Sequence, residues 1–310
     1  TKKSGYNDTR NTGSNYFMQT RNLLWGKGWY MWRDKQATWK NDRLYLPHEA
    51  INLTQLPANA PTGGWGTLTP AIAMPVQVPG TVEEYTTTSD NPHPDDGTGV
   101  SWWFRTINLP THLQGKRVVL HFESVRQRAE VYLDGHLVGY DVIGESPFDV
   151  DITPAVQWGE KQQLAIRVTH PGGNFHWQDF NEMRWGAYKM IPGRSFGGII
   201  GRVTLNALNP IHISDIYMQN QPNPQQVKAI LTVRNDEKST HHDKYNLEVV
   251  LHEKGNESQV IGTQTITLKQ LKFGDNQIEL TFDCPHAKLW QLESPHLYLC
   301  KAILQSSKRI

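Results

Sequence analysis

Several stretches of this 310-residue chain combine residue types able to do chemistry. Gly197-Gly198-Ile199-Ile200-Gly201 is glycine-dense enough to suggest a phosphate cradle, in which backbone N–H groups converge on an anion. Such a cradle also needs a Lys-Ser/Thr pair and a helix opening behind it, and neither follows. A tight turn or bulge is the better reading. His241-His242 could ligate a metal, but they sit in the polar stretch Asp236-Glu-Lys-Ser-Thr-His-His-Asp-Lys244 between two strand-like runs, where a solvated loop is expected. His48-Glu49 has no second histidine four residues on, so the zinc-protease pattern fails. Asp90-Asn91-Pro92-His93-Pro94-Asp95-Asp96 is acidic enough to invite calcium. It lacks the Gly-then-Glu spacing of a calcium loop and reads as a proline-rich connection. No Gly-x-Ser-x-Gly occurs, which removes the nucleophile elbow of a serine hydrolase. Acidic side chains are plentiful, yet no local context sets two of them face to face. No cofactor and no metal are expected.

The elements that would position any such residues follow from composition and periodicity. Thirty-one Lys+Arg against 30 Asp+Glu leave a net charge of +1, which offers no electrostatic footprint for a nucleic-acid backbone or an anionic membrane. Aliphatic runs such as Val118-Val119-Leu120 are far shorter than the ~20 residues of a membrane-spanning helix. Two cysteines exclude a disulfide scaffold or a multi-cysteine metal site. An immunoglobulin-type bridge joins an early and a late strand; Cys284 and Cys300 both lie late and are expected to be free thiols. The opening Thr-Lys-Lys-Ser-Gly has no apolar core and reads as carrying no signal peptide.

Apolar residues alternate with period two almost throughout. Val118, Leu120 and Phe122 do so, as do Phe148, Val150 and Ile152, then Leu164, Ile166 and Val168. Later come Val227, Ala229, Leu231 and Val233; Tyr245, Leu247, Val249 and Leu251; Ile278, Leu280, Phe282 and Cys284. This pattern buries one strand face and solvates the other. Asp134-Gly135 between two apolar runs is a hairpin signal. The fold class is all-β. Ten of the 11 tryptophans lie at or before Trp185. With the turn-rich Asn206-Ala-Leu-Asn-Pro210, this sets two domains, 1–208 and 209–310.

One ordered set of motifs is far more specific than the rest. It runs through Val78-Pro79-Gly80, Gly99-Val-Ser-Trp-Trp-Phe-Arg105, Ala129-Glu-Val-Tyr-Leu-Asp-Gly135, Ser146-Pro-Phe148 and Gly197-Gly198-Ile199. It closely resembles the N-terminal sugar-binding domain of family-two glycoside hydrolases, the β-galactosidase, β-glucuronidase and β-mannosidase group. Leu289-Trp290 and Pro295-His-Leu-Tyr298 resemble the end of that family's immunoglobulin-like sandwich. The resemblance implies a galactose-binding-like jelly roll followed by that sandwich. It also implies a parent enzyme whose two catalytic carboxylates sit in a following (β/α)8 barrel of ~250 residues. A retaining glycosidase needs that pair ~5–5.5 Å apart, so residues 1–310 alone are expected to be inactive.

Carbohydrate and the parent's barrel are the partners so implied, with a periplasmic or extracellular setting favoured over the cytoplasm. Asn91 resembles an Asn-Pro loop residue of β-galactosidases, and Asp179 the first-domain acid that reaches the sugar. In this chain Gly197 lies 18 positions after Asp179, more than the family's usual spacing. Trp177, Arg184 and Trp185 complete the candidate sugar-binding set, with Glu182 an alternative acid. The rival readings are a free-standing carbohydrate-binding module, using Trp65, Trp177 or Trp185 as stacking platforms, and a structural or adhesive pair of sandwiches.

Overall fold

The computed structural model describes residues 20–37, 52–56, 58–87, 99–170, 196–237 and 244–307. It divides between Asn209 and Pro210 into two compact units. The first opens with β1 (Thr20–Leu23), β2 (Gly26–Asp34), β3 (Met74–Val78) and β4 (Gly80–Thr81). A five-residue helix, α1 (Val82–Thr86), follows. Then come β5 (Gly99–Asn108), β6 (Arg117–Phe122), β7 (Arg128–Leu133), β8 (His136–Asp141) and β9 (Phe148–Asp151). The unit closes with β10 (Lys161–His170), β11 (Gly198–Ile199) and β12 (Val203–Leu208). A four-stranded sheet, β1-β12-β6-β9, faces a six-stranded one, β3-β2-β5-β10-β7-β8, and β11 pairs with β4 at the margin. This is the jelly-roll sandwich.

Its main core lies between the two sheets. Trp29, Met31, Trp103, Leu120, Phe122, Val131, Ile166 and Leu205 are all buried there. The alternation read from the sequence is the alternation observed, since successive side chains on a strand point to opposite faces. The Asp134-Gly135 hairpin forms as expected. Both residues adopt positive φ, 47° and 80°, and Leu133 pairs directly with His136.

The far face of the six-stranded sheet departs from simple alternation. Alternation there predicts a solvated side, but the side is buried. Val100, Trp102 and Phe104 of β5, Tyr132 of β7 and Ala165 of β10 form a second core with Ala37 and Leu68. Residues of the 58–73 segment, including Ala58, Trp65 and Ala73, pack against it. Trp65 meets Trp102 edge-on at 5.5 Å and Tyr132 at 4.9 Å. A sheet covered on both faces hides its polar positions as well, so Arg128, Glu130, Arg167 and Thr169 are buried. Period two identifies which residues share a face. It does not say whether a loop will cover that face.

The second unit is an immunoglobulin-like sandwich. One sheet is β13 (Ile211–Asn220), β14 (Gln226–Asn235) and β17 (Gly274–Asp283) in that order; the other is β16 (Asn256–Leu268), β15 (Tyr245–Glu253) and β18 (Tyr298–Ser306). Ala229, Leu231, Leu247, Val249, Leu251, Leu280 and Phe282 fill the space between them. Cys284 is buried and Cys300 half-buried, and both are free thiols. Burial pushes both thiols above the usual cysteine range, Cys284 with help from the Asp283 charge.

Candidate functional site

All five predicted sugar-binding residues, Asn91, Trp177, Asp179, Arg184 and Trp185, lie outside the described residues. So do Glu182, His48-Glu49, the Asp90–Asp96 acids and His241-His242. What the structure describes is where their segments join the fold. Segment 88–98, with Asn91, joins β5 at Gly99; segment 171–195, with Asp179, joins β10 at His170. Gly99 and His170 are direct cross-strand partners on adjacent antiparallel strands. Asp34, the last residue of β2, faces Val100, and Thr169 faces Arg128 at the start of β7. The two segments therefore leave the six-stranded sheet at the same end of its two central strands. No sequence spacing could have shown this, because 70 residues of chain separate Gly99 from His170 and only the sheet's register pairs them.

The described chain that follows segment 171–195, from Phe196, is clamped beside α1. Thr81 caps α1, its hydroxyl accepting from the Glu84 N–H at 3.2 Å. This sets Val82 and Glu83 against the returning chain. The Val82 N–H donates to the Gly197 carbonyl at 2.7 Å, and the Gly197 N–H donates to both Glu83 carboxylate oxygens at 3.3 Å. Gly198 exchanges two backbone hydrogen bonds with Arg126, each 2.8 Å. A Cβ on Gly198 would lie 2.4 Å from the Gly80 carbonyl oxygen, and its φ is +146°. The glycine cluster is thus a close-approach device in a short strand rather than the tight turn or bulge expected. Arg126 pairs with Glu145 and lays its guanidinium over the Phe196 ring at 4.6 Å. Burial pushes the Glu83 carboxyl above the usual range; the Gly197 N–H and the Arg33 charge offset only part of this.

Near this end, the covered face of the sheet holds a buried charge cluster. Glu130 Oε1 takes hydrogen bonds from Arg128 and Arg167, both at 2.9 Å. Its Oε2 accepts from the Tyr132 hydroxyl at 2.7 Å and the Asn59 amide at 3.0 Å. Arg167 also donates to the Thr169 hydroxyl at 2.9 Å. Burial, the largest influence, would raise the Glu130 carboxyl, but the Arg128 and Arg167 charges with the Tyr132 and Asn59 hydrogen bonds together hold the group below the usual range. The same burial, and the Glu130 charge, push Tyr132 far up. Glu130 is 0% exposed with both oxygens engaged, so it holds strands together rather than meeting a substrate. Sequence reasoning missed this cluster and Glu83. The available signal was polar alternation, Arg128-x-Glu130-x-Tyr132 and Arg167-x-Thr169, in strands that should read apolar if both faces are buried. Trp65, offered above as a stacking platform, is spent on Trp102 and Tyr132. Among the described residues no group of three or more His, Cys, Asp or Glu side chains is placed to hold a metal.

Comparison with known proteins decides the family. Residues 73–187 match the model described as glycosyl hydrolases family 2, sugar binding domain, and residues 211–310 the model described as glycosyl hydrolases family 2. The chain belongs to glycoside hydrolase family 2. A β-glucuronidase of Formosa agariphila is 25% identical over 221 residues, which are 68% of this chain and 22% of that protein. A β-galactosidase of Thermoanaerobacter pseudethanolicus is 28% identical over 215 residues, 66% of this chain and 26% of the enzyme. The family 2 chain thus spans about a quarter of the length of these curated relatives. The fold is shared with the crystal structure of a family 2 member from Bacteroides cellulosilyticus. That match has a TM-score of 0.66 at 17% identity and covers 93% of this chain and 35% of the other. Within the family 2 chain, the boundary between matched models, residues 187 to 211, brackets the Asn209–Pro210 division.

Proposed function

We propose that this family 2 chain is the non-catalytic, sugar-binding part of a retaining glycoside hydrolase acting on O-glycosidic bonds. The Gly99–His170 end of its first unit shapes the pocket of a barrel domain that carries the chemistry. The observation that carries the reading is the Gly99–His170 pairing. It brings the chain leaving segment 88–98 and the chain entering segment 171–195 onto adjacent strands, which supports a reading in which Asn91 and Asp179 meet one sugar. The clamp at Gly197 supports it, because a chain held where it re-enters the fold has less entropy to lose on binding. Galactosides and glucuronides are the substrate classes to test first, from the names of the relatives.

The test is steady-state kinetics of the intact enzyme on aryl β-galactosides and β-glucuronides. Asp179→Ala should weaken terminal-sugar binding by about 1–3 kcal/mol, the cost of one polar contact left unmatched. An unchanged KM and kcat would remove Asp179 from the site. The module reading instead predicts glycan binding by residues 1–310 alone, through Trp177 or Trp185.

A further inference from the structure

The loop that leads into β18 carries a constellation that no sequence motif announced. Ser294 Oγ lies 3.0 Å from His296 Nε2. On the other side of the ring, His296 Nδ1 lies 3.6 Å from Glu253 Oε1. A hydroxyl, an imidazole and a carboxylate in that order are the parts of an activated serine, in which the ring takes the hydroxyl proton and the acid orients the ring. Such sets are recognised by geometry rather than by sequence, so the missing Gly-x-Ser-x-Gly does not exclude one.

Backbone register brings the three together. Glu253 ends β15 and is the direct partner of Tyr298 at the start of β18. The Lys254 N–H donates to the Leu297 carbonyl at 2.9 Å, which holds the chain at His296 beside Glu253. Ser294 is set by a turn in which it exchanges backbone hydrogen bonds with Gln291. The Tyr298 hydroxyl fixes the base of the loop, accepting from the Lys288 N–H at 2.7 Å and donating to the Lys288 carbonyl at 3.3 Å. The His296 and Glu253 side chains are only 27% and 20% exposed, whereas Ser294 is open to solvent, so the base and acid are sheltered and the nucleophile is accessible. The 3.6 Å spacing is the loose contact that catalytic groups show before a substrate tightens them. With the Nδ1 proton facing Glu253, the Nε2 lone pair accepts from the Ser294 hydroxyl. His296 also lines a cleft of about 520 Å³, to which Met218, Leu251, Trp290 and Leu299 give apolar walls. Lys288, in the same wall, offers a cation for charge developing on a carbonyl oxygen.

We propose that Ser294, His296 and Glu253 form an esterase site for small carboxylic esters whose apolar acyl chain seats in the cleft beside Trp290. This is an acyl chemistry of the chain's own, separate from glycoside cleavage and independent of it. The Ser294 Oγ attacks the acyl carbon while its proton passes to His296 Nε2, and the carbonyl electron pair moves onto oxygen. As the carbonyl re-forms, the bond to the alkoxy oxygen breaks; that oxygen takes the proton from His296 and leaves as the alcohol. Water then attacks the acyl-serine by the same route, giving the carboxylic acid and restoring Ser294. Water is the only co-reactant.

The 310-residue chain is assayed with p-nitrophenyl butyrate. A second sample is treated with a fluorophosphonate, which phosphonylates an activated serine with loss of fluoride, and the label is located by peptide mass. Hydrolysis above the buffer rate and a label on Ser294 are expected. Ser294→Ala should return the rate to the buffer level, and His296→Gln should lower it at least about 100-fold, as loss of a general base does. Glu253→Gln should lower it as well. Urea midpoints show whether each variant is folded, and the label on the wild-type chain needs no variant, so it decides the question even where one unfolds. A wild-type chain that does not hydrolyse the ester overturns the proposal. So does a rate that survives Ser294→Ala, or a label carried by another serine.

Discussion

Glu130 shows how one buried carboxylate can be held by its neighbours. With both oxygens accepting from Arg128, Arg167, Tyr132 and Asn59, its replacement by glutamine removes the carboxylate charge that both buried guanidiniums contact. Glu130→Gln should cost about 3–5 kcal/mol in urea unfolding, as removing one member of a buried pair does. Its folded pKa is held down, so its contribution is present above the ordinary glutamate range and is lost as pH falls through the lowered value. The variant should accordingly lose less stability than wild type on acidification. Glu83 works in the opposite sense. Its carboxyl is raised, chiefly by burial, so its contribution is complete below the ordinary range and is lost as pH rises through the raised value. Glu83→Gln keeps an acceptor for the Gly197 N–H and should flatten that part of the pH–stability curve. A curve identical to wild type would show that Glu83 is not titrating against the clamp.

Among the elements, the short β4–β11 ladder has an importance out of proportion to its length. It ties the chain before α1, and Arg126, to Gly198–Ile199. Gly198→Ala would force a Cβ to 2.4 Å from the Gly80 carbonyl oxygen at a φ that L-residues rarely adopt. A loss on the order of 1–3 kcal/mol is expected, with faster amide exchange at Gly197 and Gly198. Unchanged exchange there would mean that the ladder does not hold Gly198–Ile199. The sequence marked the glycine cluster as a turn or bulge because it could not name the strand partner, since the Gly80 carbonyl lies far away along the chain. The strand faces were legible for the opposite reason. Trp102 and Phe104 on one side and Trp103 on the other follow from chain geometry alone. The cover over the first pair comes from residues 58–73, whose turn-rich sequence carries no periodic signal.

For the whole molecule, the proposed function divides binding and chemistry between this chain and the rest of a longer enzyme. Residues 1–310 should show no turnover of aryl glycosides, and the full enzyme should. Hydrolysis by residues 1–310 that a point mutation within them abolishes would overturn the division of labour. The all-β class, the jelly roll followed by an immunoglobulin-like sandwich, the hairpin at Asp134-Gly135 and the family were all determined by the sequence. Each rests on local alternation, turn chemistry or an ordered set of motifs, which a chain displays before it folds. Three features were decided only in the tertiary structure: the register pairing Gly99 with His170, the burial of the Arg128–Glu130–Arg167 cluster, and the exposed cleft beside Trp290. All three depend on which distant segment lies against which face, and side-chain periodicity is blind to that because it repeats identically whether a face meets water, a loop or another domain.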